Sequence, residues 1–266
     1  MKLLAAFLLG AAVFAAALFY WFSGPHSTER EGAHEVRVAA AADLKFALQE
    51  VVAAFHDERP DLRVTVTYGA SGEFYAQLSN RAPYDLFLSA DMDYPRRLVE
   101  AGLADKDSEF RYAVGHLVVW VPRESPLDVE RLGIEALLDP SVKKIAIANP
   151  RHAPYGRAAE AALKNLGVYE KVRDRFVLGE NIAQAAQFAQ VGAADAGVIA
   201  LSLALSPAMR DAGKFWPVPA DSFPRLDQGG VIMNGARDRE AADALRAFLM
   251  SSAGKAVLRR FGFESE

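Results

Sequence analysis

The sequence predicts an α/β protein whose sheets are largely parallel. Short apolar runs typical of buried strands alternate along the chain with segments whose apolar residues recur at helical spacing. Gly, Pro, Asn or Asp separates many of these segments from the next. Hydrophobic residues make up 52% of the 266 residues. A chain of this length and composition buries a normal core, either as one large domain or as two smaller lobes.

The amino-terminal half of the chain alternates strands with helices. Apolar runs predict strands at residues 36–42, 63–68, 86–89 and 112–121. Helices are predicted after Asp43, after Gly72 and from Pro95. Asp43 stands directly before the first of these helices, where a carboxylate commonly accepts hydrogen bonds from the first backbone N–H groups. We therefore predict that Asp43 is the N-cap of that helix.

The same alternation continues to the end of the chain. Strands are predicted at residues 144–148, 197–201 and 230–233, and helices after Gly156, at 182–191, at 241–250 and at 254–260. Asn181 precedes the helix at 182–191, and we predict that the turn ending at Asn181 caps it. No internal repeat or low-complexity tract interrupts the pattern.

The first 33 residues form a separate segment. Lys2 precedes an apolar run at residues 3–22, and a polar linker then extends to about residue 33. A charged residue followed by an apolar run is typical of an export signal, and about 20 apolar residues are also enough to span a bilayer. A cleaved signal peptide and an uncleaved inner-membrane anchor both remain open. Either one delivers the rest of the chain outside the cytoplasmic membrane.

The composition excludes several classes of protein. The absence of cysteine excludes disulfide scaffolds, cysteine-ligated metal sites and lipid attachment through a thiol. Lys and Arg number 30 against 34 Asp and Glu, a formal charge of −4. This balance lacks the basic surplus that nucleic-acid binding needs, so nucleic acid is not a predicted partner. The five histidines show no metal-ligand spacing.

Candidate binding residues lie at strand-to-helix junctions. Open α/β sheets bind ligands at the carboxyl ends of their strands, and a helix that begins there presents unpaired N–H groups at the positive end of its dipole. Four junctions stand out: Ala42-Asp43, Ala70-Ser71-Gly72, Pro154-Tyr155-Gly156 and Asn181-Ile182. Several such helix ends converging on one point would bind an anion with neutral donors. Every α/β protein has such junctions, and taken singly most of them merely cap helices.

Five segments, in this order, resemble the periplasmic molybdate-binding proteins of ABC transporters. They lie at residues 39–44, 68–78, 82–91, 147–156 and 179–182, and they include Ala-Ala-Ala-Ala-Asp-Leu, Tyr-Gly-Ala-Ser-Gly and Ala-Pro-Tyr-Gly. The similarity extends from Val36 to Phe263. The resemblance implies a type II periplasmic-binding-protein fold, in which two α/β lobes joined by crossover strands close over one tetrahedral oxyanion.

The resemblance also implies a site, a ligand and partners. It places the anion next to Asp43, Ser71, Tyr155 and Ile182. Ser71 would give its N–H and its hydroxyl, whereas Tyr155 and Ile182 would mainly give backbone N–H groups. The expected ligand is molybdate or tungstate without any cofactor, and the expected partner of the monomeric protein is the membrane permease of an ABC transporter.

The resemblance further implies how the chain divides. Lobe one is expected to hold residues 34–116 with 228–266, and lobe two residues 117–227, because two lobes that share one cleft need paired crossovers. Binding is expected to draw the lobes together.

Asp43 departs from the family's pattern, which usually has Ser, Thr or Asn at this junction. An ionised carboxylate that faces a dianion repels it strongly in a low-dielectric cleft. Three hypotheses remain open. The carboxylate caps its own helix and is turned away from the ligand, or it accepts a proton from a protonated oxyanion, or it helps to bind something else such as a cation. We expect the first of these.

The sequence thus predicts an extracytoplasmic solute-binding protein and not an enzyme. One alternative within the same fold is a binding protein for another small anion. An alternative from a different class is a hydrolase that uses Ser71 as its nucleophile, although the Gly-x-Ser-x-Gly elbow of such enzymes is missing.

Overall fold

A computed structural model describes residues 34–264 of the chain. The predicted leader or anchor at residues 1–33 therefore lies outside the described residues. Within the described part, no helix is both long enough and apolar enough to cross a membrane. The strands of this part are β1 (His34–Ala41), β2 (Leu62–Gly69), β3 (Leu86–Ser89), β4 (Phe110–Gly115), β5 (Leu117–Pro122), β6 (Ile145–Ala148), β7 (Phe176–Gly179), β8 (Ala196–Ala200), β9 (Gly213–Pro217) and β10 (Leu226–Ile232).

Helices connect most of these strands. They are α1 (Lys45–Glu58), α2 (Ser71–Ser79), α3 (Asp93–Glu100), α4 (Val129–Leu132), α5 (Pro154–Asn165), α6 (Tyr169–Val172), α7 (Ile182–Gln190), α8 (Leu201–Ala204), α9 (Arg239–Met250) and α10 (Ser252–Arg260). A short 3-10 turn at Ala42–Leu44 leads from β1 into α1. The alternation of strands and helices confirms the predicted α/β class.

The strands form two five-stranded sheets with equivalent layouts. The first sheet has the order β2-β1-β3-β10-β4 and the second the order β7-β6-β8-β5-β9. In each sheet the first three strands are parallel. The remaining pairings are antiparallel, because β10 runs against β3 and β4, and β5 runs against β8 and β9. The sheets are thus mixed, and the prediction of largely parallel sheets holds only for three strands of each.

The chain passes from one sheet to the other twice. The predicted strand at residues 112–121 is in fact two strands, β4 in the first sheet and β5 in the second, with His116 between them. The prediction was wrong because both strands are buried and apolar, so the hydrophobic pattern continues across the passage. The chain returns to the first sheet between β9 and β10.

Apolar side chains cover the sheets on the faces where helices pack. One cluster joins β1, β3 and β4 to α1, α9 and α10, and a second joins the opposite face of the first sheet to α2 and α3. A third cluster surrounds the second sheet and also takes in residues at the edge of the first. Burial of these side chains supplies the main driving force for folding.

The two predicted helix caps differ in outcome. The Asn181 side chain accepts hydrogen bonds from the N–H groups of Ala183 and Gln184 at 3.0 and 3.1 Å, which confirms it as the cap of α7. Asp43 is not an N-cap. It lies inside the 3-10 turn, and neither that turn nor α1 has a side-chain capping bond at its start. An N-cap residue has a non-helical backbone, whereas Asp43 lies inside the turn. Its carboxylate instead accepts a hydrogen bond from Gln228.

Candidate functional site

The parallel strands bring six junctions to the facing edges of the two sheets. Residues that follow β1, β2 and β3 are Asp43, Ser71 and Asp91, and residues that follow β6, β7 and β8 are Tyr155, Ile182 and Ser202. Carboxyl ends of neighbouring parallel strands lie on the same side of a sheet, which is where open α/β folds bind ligands. Ser71 and Ile182 are each the first residue of a helix, and Tyr155 is the second.

Hydrogen bonds link the junctions of one sheet to those of the other. The N–H of Gly72 donates to the carbonyl oxygen of His152 at 2.9 Å. The Ser202 hydroxyl donates to the carbonyl oxygen of Asp43 at 2.8 Å. These bonds hold the start of α2 and the turn before α1 against the second sheet.

Asp43 and Tyr155 meet through a glutamine on the returning strand. Gln228 on β10 is fully buried, and its Nε2 lies 2.5 Å from Oδ2 of Asp43 and 3.0 Å from the hydroxyl of Tyr155. A buried polar cluster therefore joins β10, α5 and the turn before α1.

Tyr112 on β4 extends this cluster. Its hydroxyl lies 3.0 Å from Oε1 of Gln228 and 3.0 Å from the carbonyl oxygen of Ser89. With Oε1 facing a hydroxyl donor, the amide of Gln228 is oriented so that its N–H groups point towards Asp43 and Tyr155. Tyr112 thus positions Gln228, and through it the carboxylate.

Burial dominates the electrostatics of the cluster. It raises the pKa of Asp43 from 3.8 to about 6, against the opposing effect of the hydrogen bond from Gln228 and of the nearby Tyr155 hydroxyl and backbone N–H groups. Burial also raises the pKa values of Tyr112 and Tyr155 well above their usual range, and the negative charge of Asp43 adds to both shifts. Both phenols are therefore neutral hydrogen-bonding groups.

Ser71 and Ile182 are placed at the same edge but outside this polar cluster. Both are buried, at 1% and 3% exposure. The Ser71 hydroxyl oxygen accepts a hydrogen bond from the N–H of Ala90 at 3.0 Å. Tyr155 and Ile182 belong to one buried cluster together with Ala42 and Ala70, the neighbours of Asp43 and Ser71. Asp43 and Tyr155 are thus joined through Gln228, and the helix that begins at Ile182 packs against the turn that holds Asp43.

The positively charged side chain of Arg157 lies near this buried cluster. Arg157 on α5 donates to Oδ2 of Asp91 at 2.6 Å and to the hydroxyl of Tyr94 at 3.2 Å, so it connects the two sheets. Its side chain is 44% exposed. Because Asp91 already pairs with it, Arg157 acts as a cross-sheet contact and not as a free counter-charge. In residues 34–264, no group of three or more His, Asp or Glu side chains could hold a metal ion.

The sequence matches the family model of bacterial extracellular solute-binding proteins over residues 36–264. The chain belongs to this family. It is 37% identical over 234 residues to the molybdate-binding protein ModA of Rhodobacter capsulatus, and this alignment covers 88% of this chain and 90% of the relative. It is 35% identical over 231 residues to ModA of Azotobacter vinelandii, with coverage of 87% and 90%.

A solved structure agrees with these sequence comparisons. The periplasmic molybdate-binding protein of Azotobacter vinelandii superposes with a TM-score of 0.80 and 30% identity, covering 87% of this chain and 99% of that one. The resemblance identified from the five sequence segments is therefore confirmed, and so is the two-sheet fold that it implies.

The comparisons and the geometry do not favour a hydrolase. The oxygen of Ser71 accepts from a backbone amide, and His152, which faces the start of the same helix, contributes its backbone carbonyl. A serine nucleophile needs its hydroxyl hydrogen-bonded to a general base.

Sequence reasoning missed Gln228, Tyr112 and Arg157. Gln228 lies just before the strand predicted at residues 230–233, and Tyr112 lies in the strand predicted at residues 112–121. A signal was present in both cases, because each is a polar side chain among the buried residues of its strand, and such a group needs a specific partner. Nothing in the sequence indicates that Arg157 reaches Asp91, since the two lie 66 positions apart.

Proposed function

We propose that this chain is an extracytoplasmic solute-binding protein that captures a tetrahedral oxyanion, with molybdate or tungstate as the first candidates, for uptake by an ABC transporter. The observation that carries the proposal is that helix starts from both sheets approach one another: the Gly72–His152 hydrogen bond links the start of α2 to the loop before α5, and α7 packs against the turn that holds Asp43. The names of relatives with 37% and 35% identity support the choice of molybdate.

The chemistry of the helix starts suits an oxyanion. The first N–H groups of a helix have no partner inside it, and the helix dipole favours negative charge there. We assign the backbone N–H and the hydroxyl of Ser71 as donors to the anion. Tyr155 and Ile182 donate through their backbone N–H groups. Donors fixed by secondary structure hold oxygens at set distances, so the size of the anion would decide between molybdate or tungstate and the smaller sulfate.

The two sheets suggest how the site opens and closes. We propose that lobe one consists of residues 34–116 with 228–266, and that lobe two consists of residues 117–227. Ser71 then belongs to lobe one, whereas Tyr155 and Ile182 belong to lobe two. An anion that contacts all three favours the closed arrangement and shifts the population towards it.

Location and partners follow from the same proposal. We place the protein in the periplasm, where a monomer would deliver its anion to the membrane permease of an ABC transporter, without a cofactor and without enzymatic turnover. The solved relative from Azotobacter vinelandii is described as periplasmic, and the apolar run at residues 3–22 is typical of an exported chain.

Calorimetric titration of the purified protein with molybdate, tungstate, sulfate and phosphate tests the proposal. We expect molybdate and tungstate to bind far more tightly than the other two. Absence of binding to all four anions by folded protein would refute the proposal, and tight binding of sulfate or phosphate alone would establish the alternative of another small anion.

A pair of serine variants tests the assigned site. Ser71→Ala removes a hydroxyl donor to a charged ligand, an interaction of about 1.5–3 kcal/mol, so molybdate affinity should fall by roughly 10- to 150-fold. Ser252 is the matched control, because it is also the first residue of a helix and is exposed. Ser252→Ala should leave the affinity unchanged. Equal affinities of both variants would remove Ser71 from the site.

A further inference from the structure

We infer that the anion is captured together with one proton, which Asp43 shares with it, so that the site takes a hydrogen oxyanion in place of a bare dianion. The inference rests on the proposed function and concerns the chemical form of its ligand. It accounts for the carboxyl group of Asp43 at a position where the periplasmic molybdate-binding proteins usually have Ser, Thr or Asn.

The first observation is an unpaired oxygen on a buried carboxylate. Asp43 is 1% exposed. Its Oδ2 accepts a hydrogen bond from Gln228, whereas none of the residues between 34 and 264 gives its Oδ1 a hydrogen bond that meets ordinary geometry. Buried polar atoms rarely lack a partner, because burial without one is costly. Oδ1 is thus available for one further hydrogen bond.

Asp85 shows how this chain treats a buried carboxylate that is purely structural. Asp85 is fully buried. Its Oδ2 accepts from the N–H of Arg37 at 2.7 Å and its Oδ1 from the N–H of Arg237 at 2.9 Å. The guanidinium of Arg37 also pairs with it at 3.3 Å. Asp43 has neither a bond to each oxygen nor a guanidinium against it.

The groups around Asp43 offer no compensating positive charge. Gln228 on β10 is neutral, and Tyr155 on α5 and Tyr112 on β4 are phenols with raised pKa values. On β2, burial raises the pKa of Tyr68 to about 12. The helices α7 and α8 also pack against the turn that holds Asp43, and neither contains an ionisable residue.

The charged groups of the neighbouring elements are engaged or directed outwards. Lys45, two positions along on α1, is exposed. Arg157 on α5 pairs with Asp91. On β10, Asp227 pairs with Arg111 of β4. A dianion placed beside an ionised Asp43 would therefore leave three negative charges close together in a poorly solvated region, where repulsion is strong.

One proton removes the conflict and supplies the missing hydrogen bond. With a hydrogen on Oδ1, the carboxyl group donates to an anion oxygen while Oδ2 still accepts from Gln228. The proton comes from water, either on the anion or on Asp43, and both routes leave the same O–H···O contact. The combined charge of ligand and carboxyl falls from −3 to −2. Burial has already raised the pKa of Asp43 to about 6, and an adjacent dianion raises it further.

Calorimetry of the full-length protein with molybdate, in buffers of different ionisation enthalpy, measures the protons taken up per anion. At about pH 8 the free site is ionised, so we expect uptake of about one proton per molybdate and an affinity that weakens by about tenfold for each pH unit above about 7. Below about pH 6 the dependence should flatten, because the free carboxyl already carries its proton.

Asp43→Asn provides the decisive comparison, since an amide resembles the neutral carboxyl in shape and in its ability to donate. Its proton uptake should vanish and its affinity should become independent of pH, so that it binds molybdate about 100-fold more tightly than wild type at pH 8 and about equally at pH 6. Asp43→Ser, which restores a residue usual in the family, should show the same flat profile. Asp227→Asn, one residue from Gln228, is the matched control and should keep the wild-type slope.

Three outcomes separate the possibilities. Tight molybdate binding by the wild-type protein without proton uptake would overturn the inference and leave the proposed function intact. A slope that persists in both Asp43 variants would also overturn it, because another group would then carry the proton. A folded wild-type protein that binds none of the four oxyanions would instead refute the proposed function itself. Thermal unfolding of each variant verifies that it is folded.

Discussion

Substitution of Asp43 by Asn should make the ligand-free protein more stable at neutral pH. The rise in its pKa from 3.8 to about 6, at about 1.4 kcal/mol per unit, corresponds to about 3 kcal/mol. Because the pKa is higher in the folded state, the neutral carboxyl favours folding. That contribution is complete below the unfolded-state pKa of 3.8 and is lost as the pH rises through about 6.

Urea unfolding of wild type and Asp43→Asn at about pH 4, 5, 6 and 7 measures the effect. The difference between the two free energies of unfolding should be small near pH 4 and should approach about 3 kcal/mol in favour of the variant at pH 7. Taking this difference removes the contributions of exposed carboxylates such as Asp105, whose pKa is lowered by Arg239. Asp227→Asn serves as the control. A difference that stays constant across this range would refute the assignment of a strained, ionised carboxylate to Asp43.

Three further substitutions test the contacts between the sheets. Gln228→Leu leaves the carboxylate of Asp43 without its amide donor and should lower the free energy of unfolding by about 1.5–3 kcal/mol, as measured with urea. Arg157→Ala removes a half-exposed ion pair with Asp91, so molybdate affinity should fall by no more than about fivefold. A double-mutant cycle with Asp91→Ala, measured on molybdate affinity, should give a coupling between the two residues of no more than the same factor. In Gly72→Ala, a Cβ would lie 2.7 Å from the carbonyl oxygen of His152. That overpacking of about 1–3 kcal/mol should weaken molybdate binding at least about fivefold, and small-angle scattering should show less compaction with molybdate than in wild type.

Much of the fold could be predicted because its elements are locally encoded. The two terminal helices and the cap at Asn181 appear where hydrophobic spacing and a capping residue indicate them. The direction of β5 and β10 could not be predicted, since an apolar run has the same pattern in parallel and antiparallel pairings. The passage between sheets at His116 was hidden for a similar reason, because the end of β4 and the start of β5 are both continuously buried.

Only the part of the site that lies at helix starts could be predicted, because helix starts can be recognised from the sequence. Ser71, Tyr155 and Ile182 stand at junctions that glycine, proline and asparagine mark in the sequence. The orientation of Asp43 was predicted wrongly, because its side chain is set by Gln228, which lies 185 positions away. Residue type alone favoured a cap, whereas a long-range hydrogen bond determined the outcome.

The two passages between the sheets also constrain how the molecule can move. In the lobe division proposed above, these two connections are the hinge, and the lobes would rotate about an axis that runs through His116 and the β9–β10 connection. The Tyr155 hydroxyl lies against Gly115, next to the first passage, and Gln228 follows the second by a few residues. Atoms near a rotation axis move least. We therefore expect the carboxylate, amide and phenol to keep their arrangement during the proposed opening, which would leave the group proposed to share a proton in position before an anion arrives.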